Sequence, residues 1–155
     1  MMDPSCIDIE TLLPHRGRMK LVEEIVALDE DHAVSRSVVR NGWPLCDGRS
    51  VSAIVLIELV AQTAGINNGW IRIQRHGPAV DRKGWIVGIS RADLYVDRLK
   101  TGTRLTVRAE NRFAFEGFRE IQGTVEADGR VLAEATLLLL RSEPEQLQPG
   151  PGKGS

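Results

Sequence analysis

A single carboxylate interrupts the longest apolar stretch of the chain. From Val51 to Gly69, Glu58 is the only charged residue. Its neighbours include Ile54, Val55, Leu56, Ile57, Leu59, Val60, Ala61, Ala64 and Ile66. A carboxylate in such surroundings is costly unless it is paired, hydrogen-bonded or protonated. Two readings follow: a general acid or base whose protonated form burial favours, or a structural group that pairs with an arginine or reaches solvent through a gap. Gln62 lies one turn further along the same face, so the two side chains would form a polar pocket edge. His15, set between Pro14 and Arg16, is the imidazole candidate, as a pocket-lining group or as a participant in the chemistry. Asp47 reads either as a second carboxylate or as the first residue of an Asp-Gly turn. Cys46 has no histidine partner visible in the sequence and reads as a small buried side chain. His32 and His76 fall in polar loops, and no cluster of metal-ligand spacing is present; no cofactor and no metal are expected.

The elements that must position these residues can be read from periodicity. A short helical turn is expected at residues 8–12, stopped before Pro14. Strands are expected at 19–28 and 33–40, joined by the turn 29–32. A loop then runs over 41–50, with Gly42, Pro44, Asp47 and Gly48 as breakers. Residues 51–69 are too long and too evenly apolar for a strand, which predicts a helix buried on most sides. Ser50 or Ser52 is expected to cap it and Gly69 to end it. The start of that helix would offer free N–H groups and partial positive charge to an oxygen gaining negative charge, so Ser52, Ala53 and Gln62 are expected beside a bound substrate. After a loop at 72–84 the period changes to two. Strands are expected at 85–90, 105–113, 118–127 and 131–141, with an extended bend at 92–96 and turns at Glu116-Gly117 and Asp128-Gly129. Two strands, a long buried helix and an antiparallel meander make an α+β domain over residues 1–141. Residues 142–155, rich in proline and glycine, are expected to form a flexible tail.

Composition narrows the function. The 155 residues suit one core. A net charge of −1 offers no basic surplus for nucleic acid or anionic membrane. The N-terminal residues lack the basic start and apolar run of a secretory signal, so a cytoplasmic location is expected. Two cysteines forty positions apart do not suggest a disulfide framework. An all-round apolar helix and a sheet with an open edge also predict a homodimer or a higher assembly.

Three stretches together resemble the hotdog-fold 3-hydroxyacyl-ACP dehydratases. They are Leu13-Pro14-His15-Arg16 followed by Met19-Lys20-Leu21-Val22-Glu23-Glu24-Ile25; Leu56-Ile57-Glu58-Leu59-Val60-Ala61-Gln62-Thr63-Ala64-Gly65; and Gly88-Ile89-Ser90-Arg91-Ala92-Asp93-Leu94 with Leu99-Lys100-Thr101-Gly102-Thr103-Arg104-Leu105. The ending, Gly123-Thr124-Val125 through Asp128-Gly129 to Ala133-Glu134-Ala135, fits as well. The resemblance implies a sheet wrapped around the helix, dimers with two sites at their interface, and an acyl thioester on a phosphopantetheine arm, whether of acyl carrier protein or CoA. It places the family's catalytic glutamate on Glu58. The family's catalytic histidine falls on Pro44, and residues 41–58 contain no histidine. That departure is similar to a divergent branch associated with aryl-polyene and related lipid clusters. The implied function is a dehydratase-like enzyme of fatty acid or polyene-type lipid synthesis, with Asp47 as the candidate second acid–base group. A hotdog thioesterase using Glu58, and a non-catalytic acyl-binding subunit, are the alternatives.

Overall fold

The structure, a computed structural model, describes residues 3–79 and 84–141; the expected tail at 142–155 lies outside them. One long helix, α2 (Val55–His76), lies across a six-stranded antiparallel sheet. The strands are β1 (Glu24–Leu28), β2 (His32–Val38), β4 (Gly84–Leu94), β6 (Arg104–Phe115), β7 (Phe118–Ala127) and β8 (Arg130–Arg141), in the order β1-β2-β6-β7-β8-β4. Two short strands, β3 (Ser50–Ser52) and β5 (Arg98–Lys100), pair separately beside the helix start. A single-turn helix, α1 (Ile9–Leu12), packs against α2 and is capped by the Asp8 carboxylate. This is the α+β hotdog arrangement that the resemblance implies.

The meander forms where alternation and turn chemistry agree. In β6 and β7, residues such as Leu105, Val107, Ala109, Ile121 and Val125 face the helix. The turns Glu116-Gly117 and Asp128-Gly129 have positive φ at both residues, the geometry that matches strand twist in a two-residue hairpin. Helix and sheet approach closely at Gly123, where an added Cβ would lie 2.1 Å from Cγ1 of Val60.

Four boundaries differ from the sequence expectation. The first strand starts at Glu24 rather than at 19, because the Met19 carbonyl and the Leu21 amide are bonded to the Gln62 side chain instead of a ladder. The helix starts at Val55 rather than 51, since Ser50–Ser52 pairs with Arg98–Lys100. Neither Ser50 nor Ser52 caps it: the N-cap is Ile54, with no side-chain cap hydrogen bond, and Ser52 Oγ accepts only the N–H of Ile54 itself, at 3.4 Å. Gly69 does not end the helix: it sits mid-helix because the Leu12 carbonyl packs where its Cβ would be, 2.7 Å away. The helix runs on through the expected loop to Gly77, whose φ of 85° ends it. The strand and bend expected at 85–96 are one strand, β4, interrupted by two bulges. Among the described residues no helix is long and apolar enough to cross a membrane.

Candidate active site

Glu58 stands in the first turn of α2 with its side chain 33% exposed. The apolar surroundings read from the sequence therefore do not seal it. Its Oε1 accepts a hydrogen bond from Gln62 Nε2 at 3.0 Å and lies 3.2 Å from His15 Nε2. His15, also 33% exposed, has its Nδ1 enclosed without a hydrogen-bond partner, so Nε2 is the nitrogen it presents to Glu58 and to solvent.

The chain holds both groups firmly. Leu12 and Leu13 are buried anchors just ahead of His15. The Arg16 guanidinium donates to the carbonyls of Glu10, Leu13 and His15, closing the segment into a fixed loop. Gln62 is 1% exposed and makes three hydrogen bonds: Oε1 accepts from Leu21 N–H at 2.9 Å, while Nε2 donates to Met19 O and Glu58. Gln62 therefore positions the carboxylate and ties residues 19–21 to the helix. Both of its donor hydrogens are committed, which leaves one acceptor position on Oε1.

The other expected site residues lie in the loop and short ribbon before the helix. The Asp47 carboxylate accepts the N–H groups of Arg49 and Ser50 and pairs with Arg98 at 3.2 Å. The Arg49 and Ser50 amides, followed by the Arg98 charge, hold it below the usual carboxylate range. It bonds neither to Glu58 nor to His15. The Ser52 N–H is used by Leu45 O and the Ala53 N–H by Asp97 O. Leu56 and Ile57 N–H bond back to Ala53 and Ile54 carbonyls. Among the described residues this leaves the Val55 N–H as the unengaged amide at the helix start. The structure thus brings Glu58, His15 and Gln62 together and leaves Asp47, Ser52 and Ala53 on the supporting loop.

Sequence reasoning missed Arg16 as the clamp, although its place directly after His15 was a signal. It also missed the side chains that anchor the far end of the helix. Asn67 Nδ2 donates to the carbonyls of Asp29 and His32, and Asn111 Nδ2 donates to Asn67 Oδ1. Ser35 and Thr63 hydroxyls share a buried hydrogen bond at 2.8 Å. These residues lie 28 to 44 positions apart in sequence, so no local pattern marks them. Beside residues 17–22, a cleft of about 520 Å³ is lined by Arg18, Lys20, Glu23, Arg40 and Trp43.

Comparisons with known proteins give the family and the fold. The ApeP-like family, described as ApeP dehydratase, matches residues 7–149. The 3-hydroxyacyl-[acyl-carrier-protein] dehydratase FabZ of Streptococcus uberis is 25% identical over 137 residues, covering 84% of this chain and 92% of the relative. FabZ of Streptococcus pyogenes serotype M1 is 24% identical over the same length, covering 84% and 93%. Among solved structures, the dehydratase heterocomplex ApeI:P from Xenorhabdus doucetiae superposes with a TM-score of 0.79 at 23% identity, covering 91% of this chain and 95% of that one. A hypothetical thioesterase with coenzyme A from Streptococcus pneumoniae shares the fold at a TM-score of 0.59 and 18% identity, covering 77% and 84%. With a match that spans nearly its whole length, the chain belongs to the ApeP-like dehydratase family.

Proposed function

We propose that the protein removes water from a 3-hydroxyacyl thioester, with Glu58 and His15 as its acid–base pair. The observation that carries this reading is the 3.2 Å approach of His15 Nε2 to Glu58 Oε1 at a partly open site. Dehydration requires one group to take the proton from Cα and another to protonate the departing β-hydroxyl. The electron pair of the Cα–H bond becomes the new double bond as the C–O bond breaks. The pair gains one proton and gives up one, so it returns to its starting state with water and the 2-enoyl thioester as products. His15 thus supplies the imidazole that the loop lacks at Pro44. The Val55 N–H and the positive end of α2 suit the thioester oxygen as charge builds on it. Asp47 holds the loop and Gln62 holds Glu58.

The relatives named FabZ act on acyl carrier protein substrates, and the thioesterase neighbour was solved with coenzyme A. The cleft lined by Arg18, Lys20, Glu23 and Arg40 is the candidate place for the phosphate of a phosphopantetheine arm in either carrier, which would compete with Glu23 for Arg40 and with Glu10 for Lys20. We also propose that the protein works as a dimer joined through β4. That strand is a sheet edge of eleven residues with Ile86, Val87 and Ile89 exposed, the kind of edge that pairs with another chain. The ApeI:P structure is a heterocomplex, so co-expression with a sister dehydratase is compared with the chain alone.

The test is incubation with 3-hydroxyacyl-ACP and 3-hydroxyacyl-CoA, followed by mass spectrometry. Loss of 18 mass units, about one water per turnover, supports the reading. Release of free acid would replace it with thioester hydrolysis. Unchanged substrate, alone and with the sister chain, would leave an acyl-binding role in its place.

A further inference from the structure

All three phenylalanines of the chain lie outside its core. Phe113, Phe115 and Phe118 are 61%, 58% and 45% exposed, and they gather at the tip of the β6–β7 hairpin. The pairing register puts them on one face. Phe115 stands opposite Phe118, Phe118 opposite Leu140, Phe113 opposite Glu120, and Glu120 opposite Leu138. Glu120 and Phe118 flank Arg119, which is buried, as is Ile121, so this row points away from the helix. The Phe113 and Phe115 rings stack with centroids 6.3 Å apart and planes 19° from parallel. The two-residue turn Glu116-Gly117 fixes the hairpin beneath them. The patch is therefore rigid, aromatic and on the outer face of the sheet. It lies on the opposite face of the sheet from the helix that carries Glu58, and its Leu138 and Leu140 margin on β8 is one strand in from the open β4 edge.

We propose that this outer face is a second interface, on which a second copy of this chain docks about a two-fold axis. Area and charge select that occupant. Rings of this type bury about 150–250 Å² each, so three half-exposed ones, with the half-buried Leu138 and Leu140, offer roughly 350 Å² of apolar surface per copy. Doubled across a two-fold axis, that makes the apolar centre of an interface of about 1,200 Å² in total, with a polar rim supplying the remaining two-fifths. Charges of both signs accompany the rings: Glu120 stands in the row itself, opposite Phe113 and Leu138, Glu116 is in the turn at the tip, and Arg112, bonded to Gln122, closes the other end. A two-fold axis can set the arginine of each copy against the carboxylates of its mate. An anionic lipid surface would instead meet two carboxylates for one cation. A patch of stacked rings held by a tight turn loses little side-chain freedom on docking. If the β4 edge also pairs, the two interfaces together close a four-chain assembly.

Native mass spectrometry and light scattering of the full chain decide it, comparing wild type with Phe113→Ser/Phe115→Ser and separately with Phe118→Lys. The expected result is that each variant has half the wild-type mass, with unchanged circular dichroism and melting. Hydrogen exchange at residues 113–118 should slow as wild-type concentration rises, and this readout needs no variant to fold. Equal masses for wild type and variants, or exchange independent of concentration, overturn the proposal. So does binding of wild type to phosphatidylcholine–phosphatidylglycerol vesicles that both variants lose while their mass is unchanged.

Discussion

Glu58 and His15 sit within hydrogen-bonding distance while each remains a third exposed, so their contact is available to a substrate rather than sealed in the core. Glu58→Gln keeps the shape and the partner to Gln62 but cannot hold or release a proton. It should leave the melting temperature within a few degrees and abolish water loss from 3-hydroxyacyl thioesters. His15→Gln should lower kcat by about 10²–10⁴, the usual contribution of a positioned acid–base group, as read by single-turnover mass spectrometry. Gln62→Leu is expected to act differently. It removes the acceptor of the buried Leu21 N–H, which costs about 1–3 kcal/mol. In a domain of this size that lowers Tm by about 3–10 °C. Activity should fall as well, because Glu58 loses its orienting donor.

At the scale of elements, the helix reaches its place by touching the sheet where no side chain intervenes. Gly123→Ala would drive a methyl into Val60. Overpacking of this kind costs about 1–3 kcal/mol. Pairing it with Val60→Ala should recover much of the loss, and a denaturant double-mutant cycle measures that coupling. The loop before the helix depends on Asp47 in a pH-dependent way. Its carboxyl is held below the ordinary value of 3.8 by the Arg49 and Ser50 amides. A depressed acid contributes stability above its unfolded value, and that contribution is lost as pH falls through the folded one. Burial raises Asp29, but the His32 and Asp31 amides and the His32 ring outweigh it, so its net shift is also downward from 3.8. Thermal melts between pH 6 and pH 3 should therefore show wild type losing more stability than Asp47→Asn below about pH 4.

For the whole molecule, the long β4 edge is the feature a single chain leaves unfinished. Val87→Pro would remove a donor from that edge and block pairing through it. Light scattering should then show smaller particles than wild type, with no pairing to a second hotdog chain. An unchanged mass would show that assembly does not use β4.

The amino-acid sequence alone determined the architecture and pointed to one member of the proposed acid–base pair. Glu58 was legible because a lone charge in an apolar helix is a local anomaly, and the meander was legible because alternation and Glu116-Gly117 and Asp128-Gly129 turns are local signals. His15 could be marked as a candidate, but its partner could not, since 43 positions separate it from Glu58 and no periodicity spans that distance. Asp47 read more readily as a turn residue than as a catalytic group, and only the structure shows its partners, the Arg49 and Ser50 amides and the Arg98 guanidinium. Gly69 read as a helix stop for the same reason: only the packing of α1 shows that its missing Cβ admits the Leu12 carbonyl. Local propensity and pattern select helix, strand and turn, whereas which polar groups meet is decided when elements distant in sequence pack together and every buried donor must find its acceptor.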